Sequence, residues 1–249
     1  MSNPEENWFG YAKAAGAGDK TRRVKAVFES VADNYDIMND LMSLGMHRLW
    51  KRTFVRHVAP VDGEKILDVA GGTGDIAFLM KKRAPKAAIT VCDINPEMLR
   101  VGKNRAIDKG FVDAFKWVEG NAESLPFPAR QFDVLTIAFG LRNVARIDDA
   151  LADFARVLKP GGRFLCLEFA PVDKPVLKEA YDAYSFTLLP FLGRVVANDA
   201  DSYQYLAESI RKFPKPEALA KRIAAAGFVS VTHTGLAGGI VNIHEGIRV

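Results

Sequence analysis

The stretch LDVAGGTGDIA, Leu67 to Ala77, decides the fold. It begins inside an apolar run, KILDVAG, that breaks into glycines, and it leads into DIAFLMKKRA, whose apolar residues recur at helical spacing. Strand, glycine turn and helix form the unit from which a parallel sheet is built. Gly71, Gly72 and Gly74 let the backbone turn sharply and approach a ligand with no Cβ in the way. The helix that follows aims free N–H groups at whatever sits there.

The same alternation continues outward. AAITVCDI is a second strand ending at Asp93, nineteen residues past Gly74. NPEMLRVGKNRAIDKG starts with an N-cap residue, Asn95, has Pro96 at the first helical position and stops at Gly110, so it is a helix. AFKWVEG and FDVLTIAFG are strands three and four, DDALADFARVL is a helix stopped by KPGG, and RFLCLEFA is strand five. After the helix PEALAKRIAAAG come FVSVTHTG and IVNIHEGIRV, joined only by LAGG, and so short a link demands antiparallel neighbours. The expected class is α/β. It is a Rossmann-like arrangement with a mostly parallel seven-stranded sheet, closed by a C-terminal antiparallel hairpin and covered by helices on both faces. Residues 1–20 read as a loose tail, 21–60 as a helical lid, and 61–249 as the main domain, with an insertion at 174–212.

Composition narrows the class. The 249 residues are 49% hydrophobic and 26% charged, the balance of a soluble globular chain, and the N-terminus has no apolar run of the secretory kind. The apolar segment Tyr184 to Ala197 is too short to span a bilayer and carries Arg194. Cys92 and Cys166 lie in strand-like runs and read as buried thiols in a reducing, cytoplasmic compartment. The four histidines lack ligand spacing, so no metal is expected. A net charge of +4 gives a mild preference for anionic surfaces, and nucleic acid would need more. His47, Arg48, Lys51, Arg52, Arg56 and His57 form the densest basic cluster. It reads first as a solvated helix face and second as a lipid-headgroup patch.

Two ligands suit the glycine loop. Gly72-x-Gly74-x-x-Ala77 matches the dinucleotide fingerprint, and Asp93 ends the second strand where a carboxylate can accept both hydroxyls of a ribose. Asp68 favours the other ligand. An acid inside the apolar first strand is expected where a cationic ligand must be held, and S-adenosylmethionine carries a sulfonium, an ammonium and no pyrophosphate. The plainer reading of Asp68 is a carboxylate that satisfies loop amides. Asn121, Ala122 and Glu123 follow strand three, and Ala138, Phe139, Gly140, Arg142 and Asn143 follow strand four. A parallel-sheet site uses those strand ends. Asn121 capping a turn and Arg142 pairing with a surface acid remain equally good readings at this stage.

Before the sheet lies YDIMNDLMSLGMHRLWKR, Tyr35 to Arg52. Its apolar residues recur roughly at helical spacing around Gly45, which suits a helix lying on a core. Tyr35, Asp36, Asn39, Asp40, Ser43 and His47 add more hydrogen-bonding groups than packing requires.

Together with DVAGGTGD, DINPEML, NAESLPF, FGLRNV, RVLKPGGRF, AYDAYSF, ANDADSYQYLAESI and GGIVNIHEG, that stretch resembles the UbiE-type C-methyltransferases of ubiquinone and menaquinone biosynthesis, over nearly the whole chain. The resemblance implies methyl transfer from S-adenosylmethionine to a ring carbon of 2-polyprenyl-6-methoxy-1,4-benzoquinol, of demethylmenaquinol, or of both. It makes Thr73, Asp93, Asn121 and Ala122 donor contacts; Asp68, Gly72 and Gly74 of the glycine loop, with Ile94 and Met98, complete the expected cofactor-binding set. The next donor position, usually serine, is Ala138 here, so a hydroxyl contact is lost. Tyr35, Arg142 and Asn143 fall on positions associated with substrate activation.

A quinol carbon is nucleophilic only when its neighbouring ring oxygen carries negative charge. Arg142 stays protonated and is a poor base. It is expected to stabilise that oxygen while a water held by Arg142 and Asn143 relays the proton. Tyr35 would hydrogen-bond the same oxygen, and His47 is the reserve base. With an isoprenoid substrate, the methionine-rich stretch becomes a lid and 174–212 a channel. A polyprenyl quinol partner raises the case for peripheral membrane contact, and a homodimer or a quinone-biosynthesis complex stays open. The competing functions are methylation of another hydrophobic phenol and a catalytically silent scaffold that binds S-adenosylmethionine or lipid.

Overall fold

The computed structural model describes residues 8–9, 12–13, 15–16, 18–24, 40, 43, 45–171, 205 and 208–249. Tyr35, much of the 21–60 segment and most of the 174–212 insertion lie outside the described residues.

The sheet domain is entered through α1 (His47–Val58), which follows a turn at Gly45. Then come β1 (Lys65–Val69), α2 (Asp75–Arg83), β2 (Ala88–Asp93), α3 (Pro96–Asp108) and β3 (Phe115–Glu119). The chain continues through β4 (Phe132–Ala138), α4 (Ile147–Val157), β5 (Leu158–Phe169), α5 (Pro216–Ala225), β6 (Phe228–Leu236) and β7 (Val241–Arg248). The seven strands lie in the order β3-β2-β1-β4-β5-β7-β6. Pairs among β1 to β5 are parallel, while β7 runs antiparallel to β5 and to β6. Helix α3 is capped as its sequence requires, with Asn95 Oδ1 accepting from the N–H groups of Glu97 and Met98.

Two details differ from expectation. The stretch expected as a loose tail contains a short antiparallel pair, Trp8–Phe9 with Ala12–Lys13, and residues 18–24 are helical. β5 begins at Leu158 rather than after KPGG, because Leu158 already pairs with Phe132 and the glycines form a bulge before Arg163 pairs with Val134.

Alternation along the strands sends neighbouring side chains to opposite faces. Ile66, Val134 and Leu165 join Phe54, Ile76, Met80 and Leu99 under α1, α2 and α3. Leu67, Leu135 and Cys166 join Leu151, Phe154, Leu219 and Ile223 under α4 and α5. Asp68, two residues after Ile66, therefore faces the α1 side. The strand order reverses between β1 and β4, so their carboxyl ends open a crevice where such sheets bind ligands.

Candidate active site

Two adjoining chambers occupy that crevice. The larger, about 780 Å³ to its mouth, is lined by Ala70, Gly72, Asp93, Met98, Asn121 and Asn143 among others. The smaller, about 360 Å³ with its mouth included, is lined by Lys51, Asp68, Gly71, Thr73, Asp75 and Ala138 among others. Ala70, Gly72 and Phe139 belong to both walls. Ala70 and Phe139 are also non-glycine residues with positive φ, 50° and 56°. They directly follow β1 and β4, so two of the chain's positive-φ non-glycine residues stand where the chambers meet.

The floor of the larger chamber is built by Asp93. Its Oδ2 accepts from the Gly72 N–H at 2.9 Å and its Oδ1 from the Asn95 N–H at 2.9 Å. Each oxygen keeps acceptor capacity for a hydroxyl of a bound ligand. Burial pushes its pKa up to about 6, against the lowering effect of those amides. Ile94 and Met98 line the same space. Asn121 does cap a turn, its Oδ1 accepting from the Glu123 N–H at 3.0 Å, and it lines the chamber beside Ala122 as well. Glu123 is fixed by Arg146 Nε at 2.7 Å and by the Ala145 N–H.

Asp68 sits in the smaller chamber, wholly buried. Oδ1 accepts from the Thr136 hydroxyl at 2.7 Å, which the register makes its neighbour across β1 and β4. Oδ2 is buried and has no hydrogen-bond partner among the described residues. Loop amides do not satisfy it. Burial is the main cause raising its pKa to about 7, with help from Asp93 and Asp75, and Lys51 opposes the rise. An orphaned buried carboxylate oxygen costs free energy until a donor arrives, and a cationic amine is the donor that suits it best.

The remaining expected residues divide between the two walls. Thr73 is 2% exposed and lies in the smaller chamber, its Oγ1 accepting from Arg105 Nη1 at 2.6 Å. Ala138 is there too. Gly74 lines neither chamber. Its φ of +86° and its closeness to Trp117, 2.9 Å from where a Cβ would stand, make it a turn and packing residue under the loop.

Asn143 lines the larger chamber and accepts from the Tyr205 hydroxyl at 2.9 Å. Arg142 lines neither chamber. Its guanidinium lies behind the wall, donating to Glu168 Oε1 at 2.6 Å and to the Phe139 carbonyl at 2.8 Å, with the ring of Phe169 5.5 Å below. Its partner is a buried acid at the end of β5, not a surface acid. His47 also lines neither chamber, and its Nε2 lies 2.8 Å from Asp40 Oδ1. Desolvation, followed by the nearby Lys51 charge, lowers its pKa.

The basic cluster needs correction. Arg48, Arg52 and Arg56 are exposed, while His47 and Lys51 are 5% and 7% exposed and turn inward. Lys51 Nζ donates to Asp75 Oδ2 at 2.7 Å. Lys51, Thr136, Glu168 and Tyr205 were not among the site residues expected from sequence. Only Lys51 left a signal, being one basic residue on the apolar-facing side of an amphipathic helix.

A family model described as the ubiE/COQ5 methyltransferase family matches residues 17–248. The chain belongs to the ubiE/COQ5 methyltransferase family. A relative from Nitrobacter hamburgensis, "Ubiquinone/menaquinone biosynthesis C-methyltransferase UbiE", is 57% identical over 240 residues, covering 93% of each chain. One of the same description from Brucella abortus is 53% identical over 98% of this chain and 91% of its own. Among solved structures, a SAM-dependent methyltransferase from Thermotoga maritima aligns with a TM-score of 0.64 over 90% of this chain and 99% of its own, at 17% identity. One from Aquifex aeolicus aligns with a TM-score of 0.59 over 80% and 89%, at 15% identity. These structures bear on the fold alone. In this ubiE/COQ5 member the two-chambered crevice sits where that fold presents the carboxyl ends of its strands.

Proposed function

We infer that this chain is an S-adenosylmethionine-dependent C-methyltransferase of ubiquinone and menaquinone biosynthesis. It methylates a ring carbon of 2-polyprenyl-6-methoxy-1,4-benzoquinol, of demethylmenaquinol, or of both. The observation that carries the reading is Asp68 Oδ2, a buried carboxylate oxygen without a partner among the described residues, in a chamber that shares Ala70, Gly72 and Phe139 with the one lined by Asp93. An anionic acceptor beside a ribose-type site suits a ligand that is nucleoside at one end and cationic at the other. It does not suit a pyrophosphate.

When bound, the donor supplies an electrophilic methyl group on a cationic sulfur. Asp93 would accept from the ribose hydroxyls while it holds the Gly72 and Asn95 amides. Ile94, Met98, Asn121 and Ala122 would wall the adenine, and Asp68 would face the ammonium. Asn143 is the group we assign to the quinol. Its Oδ1 is occupied by Tyr205, which leaves the amide N–H₂ to donate to the ring oxygen whose negative charge activates the carbon. Arg142 acts one layer back. By holding Glu168 and the Phe139 carbonyl it fixes the short turn Leu141–Asn143 that presents Asn143. Tyr35 would donate to the same ring oxygen. Alignment of the carbon behind the methyl group, with water excluded, is worth several kcal/mol given effective molarities of about 10⁵–10⁸ M.

We also propose that the enzyme docks peripherally on the cytoplasmic face of an anionic membrane, where its substrate resides. Among the described residues no helix is long and apolar enough to cross a membrane. Support comes from a surface groove lined by Arg52, Val55, Leu79, Lys82 and Arg83, beside the exposed Leu49 and Arg56. Cationic rims over an apolar floor suit acidic headgroups.

An anaerobic assay with methyl-labelled S-adenosylmethionine tests the activity, offering each reduced quinol separately and locating the label by mass spectrometry. A carbon-bound methyl group is expected. Donor binding with no transfer to either quinol overturns the acceptor assignment.

A further inference from the structure

Lys51 reaches the donor loop from α1, which precedes the first strand of the sheet. The charges it meets there are arranged in sequence. Asp75, at the start of α2, accepts from Lys51 Nζ at 2.7 Å and from Arg105 Nη2 of α3 at 2.9 Å. Arg105 in turn donates to Thr73 in the loop at 2.6 Å. Asp75 thus already has two cations, and its pair with Arg105 would hold α2 to α3 without any help from α1. A lysine ammonium carries three donors, of which Asp75 takes one. Lys51 also belongs to the wall of the smaller chamber, as does Asp68 with its unpartnered Oδ2. A nearly buried ammonium and a buried carboxylate therefore border one chamber. That is the charge pattern of a receptor for a zwitterion.

We propose that Lys51 recognises the carboxylate at the amino-acid end of the methyl donor, opposite the ammonium faced by Asp68. Lys51 is then the residue that makes the site specific for the intact amino acid, and it ties α1 to donor binding. The inference rests on placing the donor's amino-acid end in the smaller chamber. A counter-ion that serves Asp75 alone would also be buried here, and the two roles separate by ligand rather than by stability.

The test is calorimetric titration of the full chain with four ligands. They are S-adenosylmethionine, S-adenosylhomocysteine, decarboxylated S-adenosylmethionine (carboxylate removed, amine and sulfonium kept) and 5′-methylthioadenosine (amino-acid end removed). Wild type should prefer the first two over the decarboxylated form by about tenfold or more, the usual size of one charge-assisted contact. In Lys51→Met that preference should vanish, while the affinities for decarboxylated donor and methylthioadenosine stay within about twofold. Lys51→Arg should restore most of it. Asp75→Asn, which keeps the ammonium and removes its internal partner, should preserve the preference and covers the case in which Lys51→Met does not fold. Equal weakening of all four ligands in Lys51→Met would make Lys51 a structural counter-ion and overturn the proposal. Unchanged binding of S-adenosylmethionine would overturn it too. If wild type binds methylthioadenosine as tightly as the intact donor, the failure lies earlier, in the placement of the donor, and the proposal falls with it.

Discussion

Asp68 shows how much chemistry one side chain can hold. Burial lifts its pKa to about 7, far above the unfolded value of 3.8. For folding, the sign follows directly: a group with a raised native pKa stabilises the fold below about pH 3.8 relative to higher pH, and that contribution is lost as pH rises through about 7. For donor binding the sign is opposite, since the ammonium of the ligand favours the ionised carboxylate. From pH 6 to 7.5 the ionised fraction of Asp68 rises, while the α-amino group of the ligand, whose ordinary value is about 7.7, is still mostly protonated. The affinity for S-adenosylmethionine should therefore tighten several-fold over that interval, while methylthioadenosine binding stays comparatively flat. Titrations at the two pH values check this, and Asp68→Asn should remove the difference in pH dependence between S-adenosylmethionine and methylthioadenosine, leaving only the part that Asp93 gives to both. Gly140 makes a second, steric prediction. A Cβ there would stand 2.6 Å from the Ala70 Cβ, which real atoms do not tolerate, so the loops after β1 and β4 would have to part. Gly140→Ala should weaken donor binding by about tenfold or more while the far side of the sheet stays folded, as judged by calorimetry and amide exchange.

At the scale of elements, the turn Leu141–Asn143 depends on a buried ion pair with side chains 4% and 1% exposed. Glu168 accepts from Arg142 Nη1, from the Arg142 N–H at 3.2 Å and from the Phe169 N–H at 2.9 Å. Arg142→Ala would leave that carboxylate buried and uncompensated, and such losses cost about 3–5 kcal/mol. Urea unfolding should register a loss of that size. Arg142→Lys keeps the charge but not the planar fork, so it should destabilise less and still lower turnover sharply through Asn143, with donor affinity barely moved. Near-normal turnover in Arg142→Lys would break the link between the pair and catalysis. These elements also show where sequence reading reaches its limit. β1 to β5 were legible because apolar runs alternate with helical patterns, and the hairpin because LAGG is too short for a crossover. Asn95 announced its own helix. Arg142 and Glu168 lie 26 residues apart on different elements, so no local pattern could pair them. Lys51 was legible only as a basic residue on the apolar stripe of Trp50, Phe54 and Val58, and nothing local announced its partner Asp75.

At the scale of the whole molecule, the requirement is to bring a soluble donor and a bilayer-resident quinol to one crevice. The two chambers lie at the carboxyl ends of the strands, and in the reading proposed above α1 takes part on both sides of the problem. Its inner face carries Lys51 to the donor loop, and its outer face carries Leu49, Arg52 and Arg56. The groove that joins Arg52 to Lys82 and Arg83 of α2 makes that outer face a candidate for the membrane. Each basic residue near an anionic surface contributes about 1 kcal/mol, so the three together supply about 3 kcal/mol, a partition change on the order of a hundredfold. The charge term is screened over about 8–10 Å at physiological salt. Wild type should therefore sediment with vesicles rich in phosphatidylglycerol, release as salt is raised, and ignore pure phosphatidylcholine. Replacing Arg52, Lys82 and Arg83 together by Gln should reduce sedimentation by more than tenfold. It should leave the affinity for S-adenosylmethionine unchanged, since none of the three lines the donor chambers. Turnover on a short-chain, water-dispersed quinol should be unaffected, while turnover on long-chain quinol embedded in anionic vesicles should fall. Equal loss on both substrates would mean that the groove supports the fold and not the membrane, and undiminished vesicle binding would remove it as the docking face.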